Sequence, residues 1–277
     1  MIYSFNDEVV GVVVTYNPDI ELLSRNLGAL TQQVSRVLLY DNASKNQDEI
    51  IELVKTFPNV KLFANAENLG LPINYNRAMK EANSEWLLTM DQDSVLPNNY
   101  IECASKYFHE NDIAIICPSE SESDSPDSFV ERCVSSGSLN RLSTLKALGG
   151  FDESMFIDMV DFDYCKTVTE HGYKIFRLNN CVMEHHVGQA KFVSVFGKQV
   201  MIFNHSPIRK YYYFRNSIYY ARKHGLTFRG NRKYYEALLK GIILLCYEKE
   251  TLRKIFMSLK GLIDGFRMKL PQCYTNS

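Results

Sequence analysis

Residues 86–95 read WLLTMDQDSV, and this stretch decides the predicted fold. Five mostly apolar residues, Trp86 to Met90, are followed at once by two aspartates, Asp91 and Asp93. A short apolar run bounded by polar residues is typical of a buried strand, so the two acids should emerge at its carboxyl end. In an open α/β sheet, that edge is where ligands bind.

The two carboxylates repel one another unless a cation or a proton relieves the repulsion. The pattern therefore indicates either a divalent-metal site or a nucleophile beside an acid. The residues of this stretch alone leave both interpretations open.

The surrounding sequence alternates strand-like and helical patterns. Strand-like runs at 9–15, 37–40, 60–63 and 86–90 alternate with helical stretches at 21–33, 48–56 and 73–82. This rhythm predicts an α/β protein with a largely parallel sheet covered on both faces. A further strand is predicted at 113–117 and a short one near Val134.

Length and composition bound the remaining possibilities. A chain of 277 residues with 45% hydrophobic content can bury one large core and a modest appendage. Its first residues lack the features of a signal peptide, and no apolar run is long enough to span a bilayer, so the expected location is the cytoplasm. Seven cysteines without a close CxxC pair favour reduced thiols over a disulfide framework.

The net charge of −1 conceals an asymmetry. Residues 1–190 carry 14 basic and 28 acidic side chains, whereas residues 191–277 carry 17 and 4. The last predicted helix is amphipathic, because Leu252, Ile255, Phe256, Leu259, Ile263 and Phe266 recur at helical spacing. Such a helix can lie on an anionic membrane or pack on its own domain. The tyrosines at 211–220 favour packing over a stacking platform, so no nucleic-acid partner is expected.

Polar and aromatic residues end the first two predicted strands. Thr15, Tyr16 and Asn17 follow the first strand, and Asp41 follows the second. Tyr16 can stack on a heterocyclic base while Asp41 accepts a ring N–H. Ordinary turn and cap chemistry is the alternative for both segments.

A third loop should lie on the same edge. Asn68 and Gly70 precede a helix that contains Asn76 and Arg77. Glycine allows a backbone to approach a ligand closely, and an arginine can neutralise a phosphate. A plain turn with a surface arginine is the alternative.

Eight segments in this order resemble glycosyltransferase family 2, the nucleotide-sugar-dependent enzymes of the GT-A fold, and particularly its bacterial rhamnosyltransferase-like members. They are VVVTYNP, LLYDNAS, ENLGLPINYNRAM, LLTMDQDS, SSGSLNRLSTLKALGGFDE, FIDMVDFDYC, EHHVG and YYYFRNS. The resemblance implies a mixed, mainly parallel GT-A sheet over 1–203, with donor binding roughly at 1–95 and the acceptor part roughly at 96–203. A basic, amphipathic helical extension would follow at 204–277.

The resemblance also assigns roles on the donor side. It implies that Thr15, Tyr16, Asn17 and Asp41 contact the nucleoside, and that Asn68, Gly70, Asn76, Arg77 and Gln92 help to bind the donor. Asp91 and Asp93 would form the DxD motif that holds Mg²⁺ or Mn²⁺. Asp93 would be the main metal ligand, and Asp91 would bridge the donor ribose, the sugar or a metal-bound water.

The general-base position of the family falls on Asp161. Most relatives carry Glu-Asp there, whereas this chain has Val160-Asp161, so Asp158 is a competing base. Capping of the helix that starts here is the structural alternative for these acids. His185 could complete the metal site. Gly137 and Ser138 are expected in the acceptor or sugar pocket.

The expected activity is inverting transfer of a sugar, with dTDP-L-rhamnose as the hypothetical donor. The acceptor would be a saccharide, or a lipid-linked saccharide, of a cell-surface polysaccharide. The basic tail would then contact the cytoplasmic leaflet of the inner membrane. Two alternatives remain: a haloacid-dehalogenase-type phosphatase with Asp91 as nucleophile, and a non-catalytic nucleotide-binding module. The phosphatase motif normally lies on the first strand, whereas three strand-like segments precede Asp91 here.

Overall fold

The computed structural model describes residues 8–185, 191–195 and 197–271. The chain divides into two compact units. The first comprises residues up to Phe156 together with Val160–His186, and the second comprises Ile157–Met159 together with the chain from Val187 onward. The predicted boundary between residues 203 and 204 stays a prediction.

The first unit is built on an eight-stranded sheet. Its strands, in chain order, are β1 (Val9–Thr15), β2 (Arg36–Asp41), β3 (Val60–Ala64), β4 (Trp86–Met90), β6 (Ile113–Ser119), β7 (Ser128–Val130), β8 (Ser138–Arg141) and β9 (Lys174–Val182). They are ordered β3-β2-β1-β4-β8-β6-β9-β7. Only β8 and β7 pair antiparallel to their neighbours. The predicted mixed, mainly parallel sheet is confirmed.

Helices and a small ribbon complete this unit. The helices are α1 (Ile20–Leu30), α2 (Gln47–Val54), α3 (Gly70–Glu81), α4 (Tyr100–Ser105), α5 (Leu142–Ala147) and α6 (Val160–Glu170). The two-residue strands β5 (Ser94–Val95) and β10 (Glu184–His185) pair antiparallel. Asp19 caps the start of α1, because its carboxylate accepts hydrogen bonds from the N–H groups of Glu21 and Leu22.

The stretch that decided the predicted fold forms β4. All five of its residues are buried. A strand that is covered on both faces has a continuous apolar sequence, as Trp86 to Met90 has. Trp86 stacks on Phe108 at a centroid distance of 4.9 Å. The short strand expected near Val134 is wrong: β8 begins four residues later, after a turn in which Gly137 has a φ of 77°.

The second unit is a hairpin followed by three helices. The hairpin pairs β11 (Lys191–Val195) with β12 (Lys198–Ile202), and the helices are α7 (Pro207–Lys223), α8 (Arg232–Leu244) and α9 (Thr251–Arg267). α7 and α9 approach closely at two glycines of α9. A Cβ added at Gly261 would lie 2.4 Å from the carbonyl oxygen of Tyr211, and one added at Gly265 would lie 2.4 Å from that of Arg215. The predicted C-terminal helices are confirmed.

Part of the basic charge of this unit is internal. Lys254, only 2% exposed, places its Nζ 2.9 Å from Glu248 and 2.8 Å from the Oδ1 of Asn204. Lys210 donates to the other carboxylate oxygen of Glu248 at 2.8 Å. Burial alone would raise the pKa of Glu248, but hydrogen bonds from the two lysines outweigh it and hold the pKa below its usual value.

The amphipathic stripe of α9 is divided. Ile255 packs, together with Leu262, against a small core that includes Phe214 and Leu238. The exposed apolar side chains of the helix are Leu252, Phe256, Leu259, Ile263 and Phe266, at 83%, 66%, 47%, 52% and 62%. Among the described residues, no helix has the length and apolar character needed to cross a bilayer.

Candidate active site

Six of the predicted donor residues, Thr15, Tyr16, Asn17, Asp41, Asp91 and Gln92, lie at the carboxyl ends of β1, β2 and β4. Strand β1 lies between the other two, and the chain runs outward from it in opposite directions, as β2 and then β3 on one side and β4 on the other. The register pairs Thr15 with Asp41 and Val13 with Met90. Ligands of open α/β sheets bind at this kind of switch point.

Asp41 is fully buried at this edge. Its carboxylate accepts hydrogen bonds from the Thr15 hydroxyl at 3.0 Å, from the Gln47 amide at 3.0 Å and from the backbone N–H of Ser44 at 3.0 Å. The Ser44 hydroxyl donates a fourth, short hydrogen bond. A carboxylate offers about four acceptor positions, so donors from this chain already occupy them. A ring N–H bound to Asp41 stays a prediction.

The loop after β1 is fixed by its neighbours, yet its aromatic ring is half exposed. Asn17, at a φ of 48°, donates its N–H to the Ser44 hydroxyl at 2.7 Å. Gln92 accepts the N–H of Tyr16 at 2.8 Å, which joins this loop to the DxD loop. The Tyr16 side chain remains 50% exposed. About half of this residue is therefore accessible to a ligand.

Asn42 organises the third loop, a role that the sequence did not reveal. Its Oδ1 accepts hydrogen bonds from Asn74 at 2.8 Å, from Asn65 at 3.1 Å and from the N–H of Leu69 at 3.2 Å. Asn68 accepts the N–H of Gly70 at 3.0 Å. The four asparagines of this region supply a signal, because their short amides are suited to turns that need local hydrogen bonds.

Gly70 is required by a close backbone contact. Its φ is 78°, and an added Cβ would lie 2.4 Å from the carbonyl oxygen of Phe156. That same oxygen accepts the N–H of Leu71 at 2.8 Å. Since only glycine fits without strain, the third loop is held against the segment that leads towards α6.

Asn76 and Arg77, both predicted to bind the donor, have different surroundings. Asn76 is buried, and its amide exchanges two hydrogen bonds of 2.8 Å with the backbone of Phe151. Arg77 donates to Asn65 at 2.7 Å and lines a pocket with Tyr40 and Phe63. That pocket is lined by no other predicted donor residue.

Two side chains that the sequence did not single out hold the DxD loop. Asn26 donates its amide hydrogens to the carbonyl oxygens of Asp91 at 2.8 Å and Ser94 at 2.6 Å. The Ser136 hydroxyl accepts the N–H of Asp91 at 3.2 Å. Asn26 was detectable, because it occupies the otherwise apolar buried stripe of α1. A polar residue in such a stripe usually has a buried partner.

The DxD loop and the start of α6 converge on one phenol. Tyr75 is completely buried in α3. Burial, and then the negative charge of Asp91, raise the pKa of its hydroxyl; a hydrogen bond with Ser135 opposes them, and the charge of Asp161 adds a smaller rise. A charge acts on a pKa in this way only at short range. The structure therefore brings Asp91 and Asp161 to the same part of the first unit.

The two candidate bases have different surroundings. Asp161 lies in the first turn of α6 and accepts the N–H of Phe162 at 2.9 Å. Asp158, at a φ of 63°, belongs to the second unit. Arg209 approaches both oxygens of Asp158, at 2.6 and 3.4 Å. The Asn216 amide binds the carbonyl oxygens of residues 157 and 158 at 2.8 and 2.9 Å.

The predicted sugar pocket adjoins the DxD loop. Gly137 donates its N–H to the carbonyl of Thr89 at 2.9 Å. Ser138 is buried, and its hydroxyl donates to the Val134 carbonyl at 2.6 Å. Gly137 thus lies beside the end of β4, while Ser138 supports the turn.

The side chains of two predicted metal ligands, Asp91 and Asp93, are among the described residues. Asp91 and Asp93 are partly exposed. The backbone of His185 pairs with that of Ser94, but its side chain lies outside the described residues. Across the described chain, no cluster of three His, Cys, Asp or Glu side chains has the arrangement of a metal site. This set suits a cation that takes its other ligands from substrate phosphates and water, as Mg²⁺ usually does.

Comparison with known proteins agrees with the resemblance read from the sequence. Residues 12–149 match the model of glycosyl transferase family 2. The chain is 24% identical over 293 residues to the dTDP-rhamnosyl transferase RfbF of Shigella flexneri, covering 95% of this chain and 96% of that protein.

Solved structures establish the fold. A mannosyltransferase from Pyrobaculum calidifontis in complex with GDP-Man and Mn²⁺ is 15% identical, with a TM-score of 0.62 over 94% of this chain and 86% of that one. S. aureus TarS 1–349 in complex with UDP-GlcNAc is 16% identical, with a TM-score of 0.62 over 94% and 81%. The chain covers only 36% of another TarS chain. Through residues 12–149 the chain belongs to glycosyltransferase family 2, and its fold is that of the GT-A glycosyltransferases.

Proposed function

We propose that this protein is an inverting, metal-dependent glycosyltransferase that moves L-rhamnose from dTDP-L-rhamnose to a saccharide acceptor of cell-surface polysaccharide biosynthesis. One observation carries the proposal: residues 12–149 match the family 2 model, and within them the DxD loop follows β4 at the switch point of the sheet. The similarity to a protein named dTDP-rhamnosyl transferase supports the choice of donor.

The donor base stacks on Tyr16, whose ring is half exposed at the switch point of the sheet. Asp41 contributes by fixing Thr15 and Ser44 around that position, whether or not it also reaches the base. Asn17 and Gln92 hold the same loop. Because these groups are already ordered, little conformational entropy is lost when the donor binds.

Asp93, with Asp91 beside it, is the proposed holder of Mg²⁺ or Mn²⁺, and the His185 side chain is a further candidate ligand. A divalent cation there supplies positive charge to the diphosphate leaving group. Asn26 and Ser136 bind the backbone of the DxD loop and so fix the position of its carboxylates. A fixed electrostatic site needs little reorganisation during the reaction.

Asp161 is the proposed general base. Single-displacement inversion requires a carboxylate on the acceptor side of the anomeric carbon, where it removes the proton of the attacking hydroxyl. Asp161 belongs to the same unit as the DxD loop, whereas both oxygens of Asp158 face Arg209. The sugar pocket beside Gly137 then receives the transferred group or the acceptor.

The exposed face of α9 is the proposed membrane contact. Five apolar side chains share this face, and the helix also contains the basic residues Arg253, Lys260 and Arg267. Apolar burial together with attraction to anionic lipid binds such helices at the interface. The protein would then work peripherally at the cytoplasmic face of the inner membrane, where a lipid-linked acceptor is within reach.

A donor panel tests the sugar assignment. The purified protein, an acceptor extract and Mg²⁺ or Mn²⁺ are incubated with dTDP-L-rhamnose, UDP-GlcNAc or GDP-mannose, and nucleoside-diphosphate release is measured. We expect release from dTDP-L-rhamnose above the other two donors. Preference for another donor would overturn the rhamnose assignment. Hydrolysis of phosphate monoesters without sugar transfer would favour the phosphatase alternative, and donor binding without turnover would favour the binding module.

Vesicle flotation tests the membrane assignment. We expect binding to vesicles that contain phosphatidylglycerol, and loss of binding when Phe256 is replaced by Asp. Phe228→Asp is the matched control, because Phe228 is equally exposed, at 66%, but lies outside α9. Equal binding by both variants and the original protein would exclude the α9 face as the contact.

A further inference from the structure

Three cysteines meet beside the candidate active site. Cys117 lies in β6, Cys133 in the loop before β8, and Cys165 in α6. The Sγ atoms of Cys133 and Cys165 are 3.7 Å apart, and the Cys133 N–H donates to the Cys165 Sγ at 3.4 Å. The disulfide bond length is about 2.05 Å. The two sulfurs are therefore one small side-chain movement from bonding.

Cys133 also lines a pocket beside charged side chains. The pocket includes Arg132, Arg177 and Glu120, so it carries two positive charges and one negative charge. Cys133 is partly exposed, whereas Cys165 is buried. The Nε of Arg177 is buried and has no hydrogen-bond partner among the described atoms. The pocket gives a small solute a path to the Cys133 sulfur.

The protonation of the trio favours Cys133 as the reactive thiol. Hydrogen bonds from Cys117 and then Cys165 lower its pKa, and the positive charge of Arg177 acts in the same direction. The same hydrogen bond raises the pKa of Cys165. Thiolate is the nucleophilic form of cysteine, so Cys133 attacks first and Cys165 remains a thiol that can resolve the product.

The pair joins two segments of the candidate site. Cys165 lies one helical turn after Asp161 on α6, and side chains four residues apart share a face. Cys133 lies three residues before Ser136, which binds the backbone of Asp91. A disulfide between Cys133 and Cys165 would fix α6, which carries Asp161, to the loop that supports the DxD motif.

We propose that Cys133 and Cys165 form a peroxide-sensitive pair that closes to a disulfide and reversibly lowers transfer. The Cys133 thiolate attacks one oxygen of a hydroperoxide, the O–O bond breaks, and protonation of the departing oxygen releases water or an alcohol. The resulting sulfenic acid is attacked by the Cys165 sulfur, forming the S–S bond and releasing one water. Two thiols are oxidised and one peroxide is reduced. A dithiol reductant restores both thiols.

Peptide mass mapping after hydrogen peroxide treatment tests the pairing. The full-length protein is oxidised, its remaining thiols are alkylated, and cross-linked peptides are identified. We expect a peptide pair joining Cys133 to Cys165, with the loss of two hydrogen atoms. Cys246→Ser, which removes an exposed thiol of the second unit, should leave this link unchanged. Alkylation of both Cys133 and Cys165 after oxidation, or a Cys133–Cys117 link instead, would overturn the proposal.

Two variants of the resolving thiol, Cys165, control for the effect of misfolding. Cys165→Ala and Cys165→Ser should each trap Cys133 as a sulfenic acid, detected with a dimedone reagent, while their melting temperatures show that they fold. Absence of dimedone labelling in a folded variant would contradict Cys133 as the primary site.

The effect on activity rests on the proposed function and is measured separately. We expect oxidation to remove most nucleoside-diphosphate release, and reductant to restore it, in the original protein but not in Cys165→Ser. A disulfide that forms without changing release would overturn the regulatory part. If the reduced protein shows no transfer, the proposed function fails, while the mass map still decides the pairing.

Discussion

The loops that follow β2 and β4 lie at the same edge of the sheet but differ in how they use aspartate. Asp41 is completely buried and accepts four hydrogen bonds from its own chain. Asp91 and Asp93 are partly exposed, and the side chains of Asn26 and Ser136 bind the backbone of Asp91. The buried acid organises a loop, whereas the two partly exposed acids are the ones proposed to hold the metal.

The acids around α6 show the same division. Asp158 faces a guanidinium group on both oxygens, whereas Asp161 stands in the first helical turn near the DxD loop. The ion pair with Arg209 assigns Asp158 a structural role, and Asp161 is the proposed base. Four measurements test whether this distinction holds.

Replacing Asp161 with Asn should have the largest effect. Loss of a general base typically lowers kcat by roughly 10²–10⁴-fold. Asp158→Asn is the matched control and should keep most of the transfer rate, although it weakens the ion pair with Arg209. Steady-state nucleoside-diphosphate release measures both. The assignment of the base would be reversed if Asp158→Asn lost the activity and Asp161→Asn kept it.

Asp93→Asn should come next. Weakened binding of a divalent cation removes several kcal/mol of leaving-group stabilisation, a loss of roughly 10²–10³-fold. Treatment of the original protein with EDTA should abolish transfer, and added Mn²⁺ should restore it. The melting temperature of Asp93→Asn should hardly change. Full activity in EDTA would exclude metal dependence.

Asp41→Ala should mainly lower stability, whereas Asp93→Asn should mainly lower activity. Removing the carboxylate takes the main acceptor from the buried donors of Thr15 and Ser44 and from the partly buried amide of Gln47, at a cost of about 3 kcal/mol in the free energy of unfolding. Urea unfolding followed by circular dichroism measures this. A variant as stable as the original protein would break the comparison, because the buried acid would then have no structural role.

These contrasts also show what the sequence could and could not predict. The strand and loop order was readable because apolar runs end in polar residues, as at Trp86 to Asp91. The hydrogen-bond partners of each aspartate could not be predicted. Asp41 and Asp93 both follow an apolar run in the sequence, and only their burial in the folded protein distinguishes them. The hydrogen bonds of Asn42 join residues up to 32 positions apart. Such pairings depend on the folded sheet and not on local pattern.

The smallest expected effect is a pH dependence of stability that arises from His205, a titratable group of the second unit. Burial, together with the charge of Arg209, lowers the pKa of His205 from 6.5 to about 4, with Lys210 adding to the shift and Asp158 and Glu248 opposing it. Between these values the unfolded chain binds more protons than the folded chain. Stability should therefore fall as the pH drops from 6.5 to about 4.

For this partly exposed side chain we expect roughly 1–2 kcal/mol after allowing for solvent screening. Thermal unfolding between pH 7.5 and 4 measures the slope, and His205→Asn should flatten it. An unchanged slope in that variant would assign the pH dependence to other groups.

The contact between Gly70 and the Phe156 carbonyl limits how this enzyme can be re-engineered. A Cβ at position 70 would collide with that backbone, so the donor loop and the segment leading to the predicted base cannot be exchanged separately. Grafting a loop from a relative with another nucleotide preference would have to bring both segments together. The proposed donor loop and the segment that leads to α6 thus form one structural module.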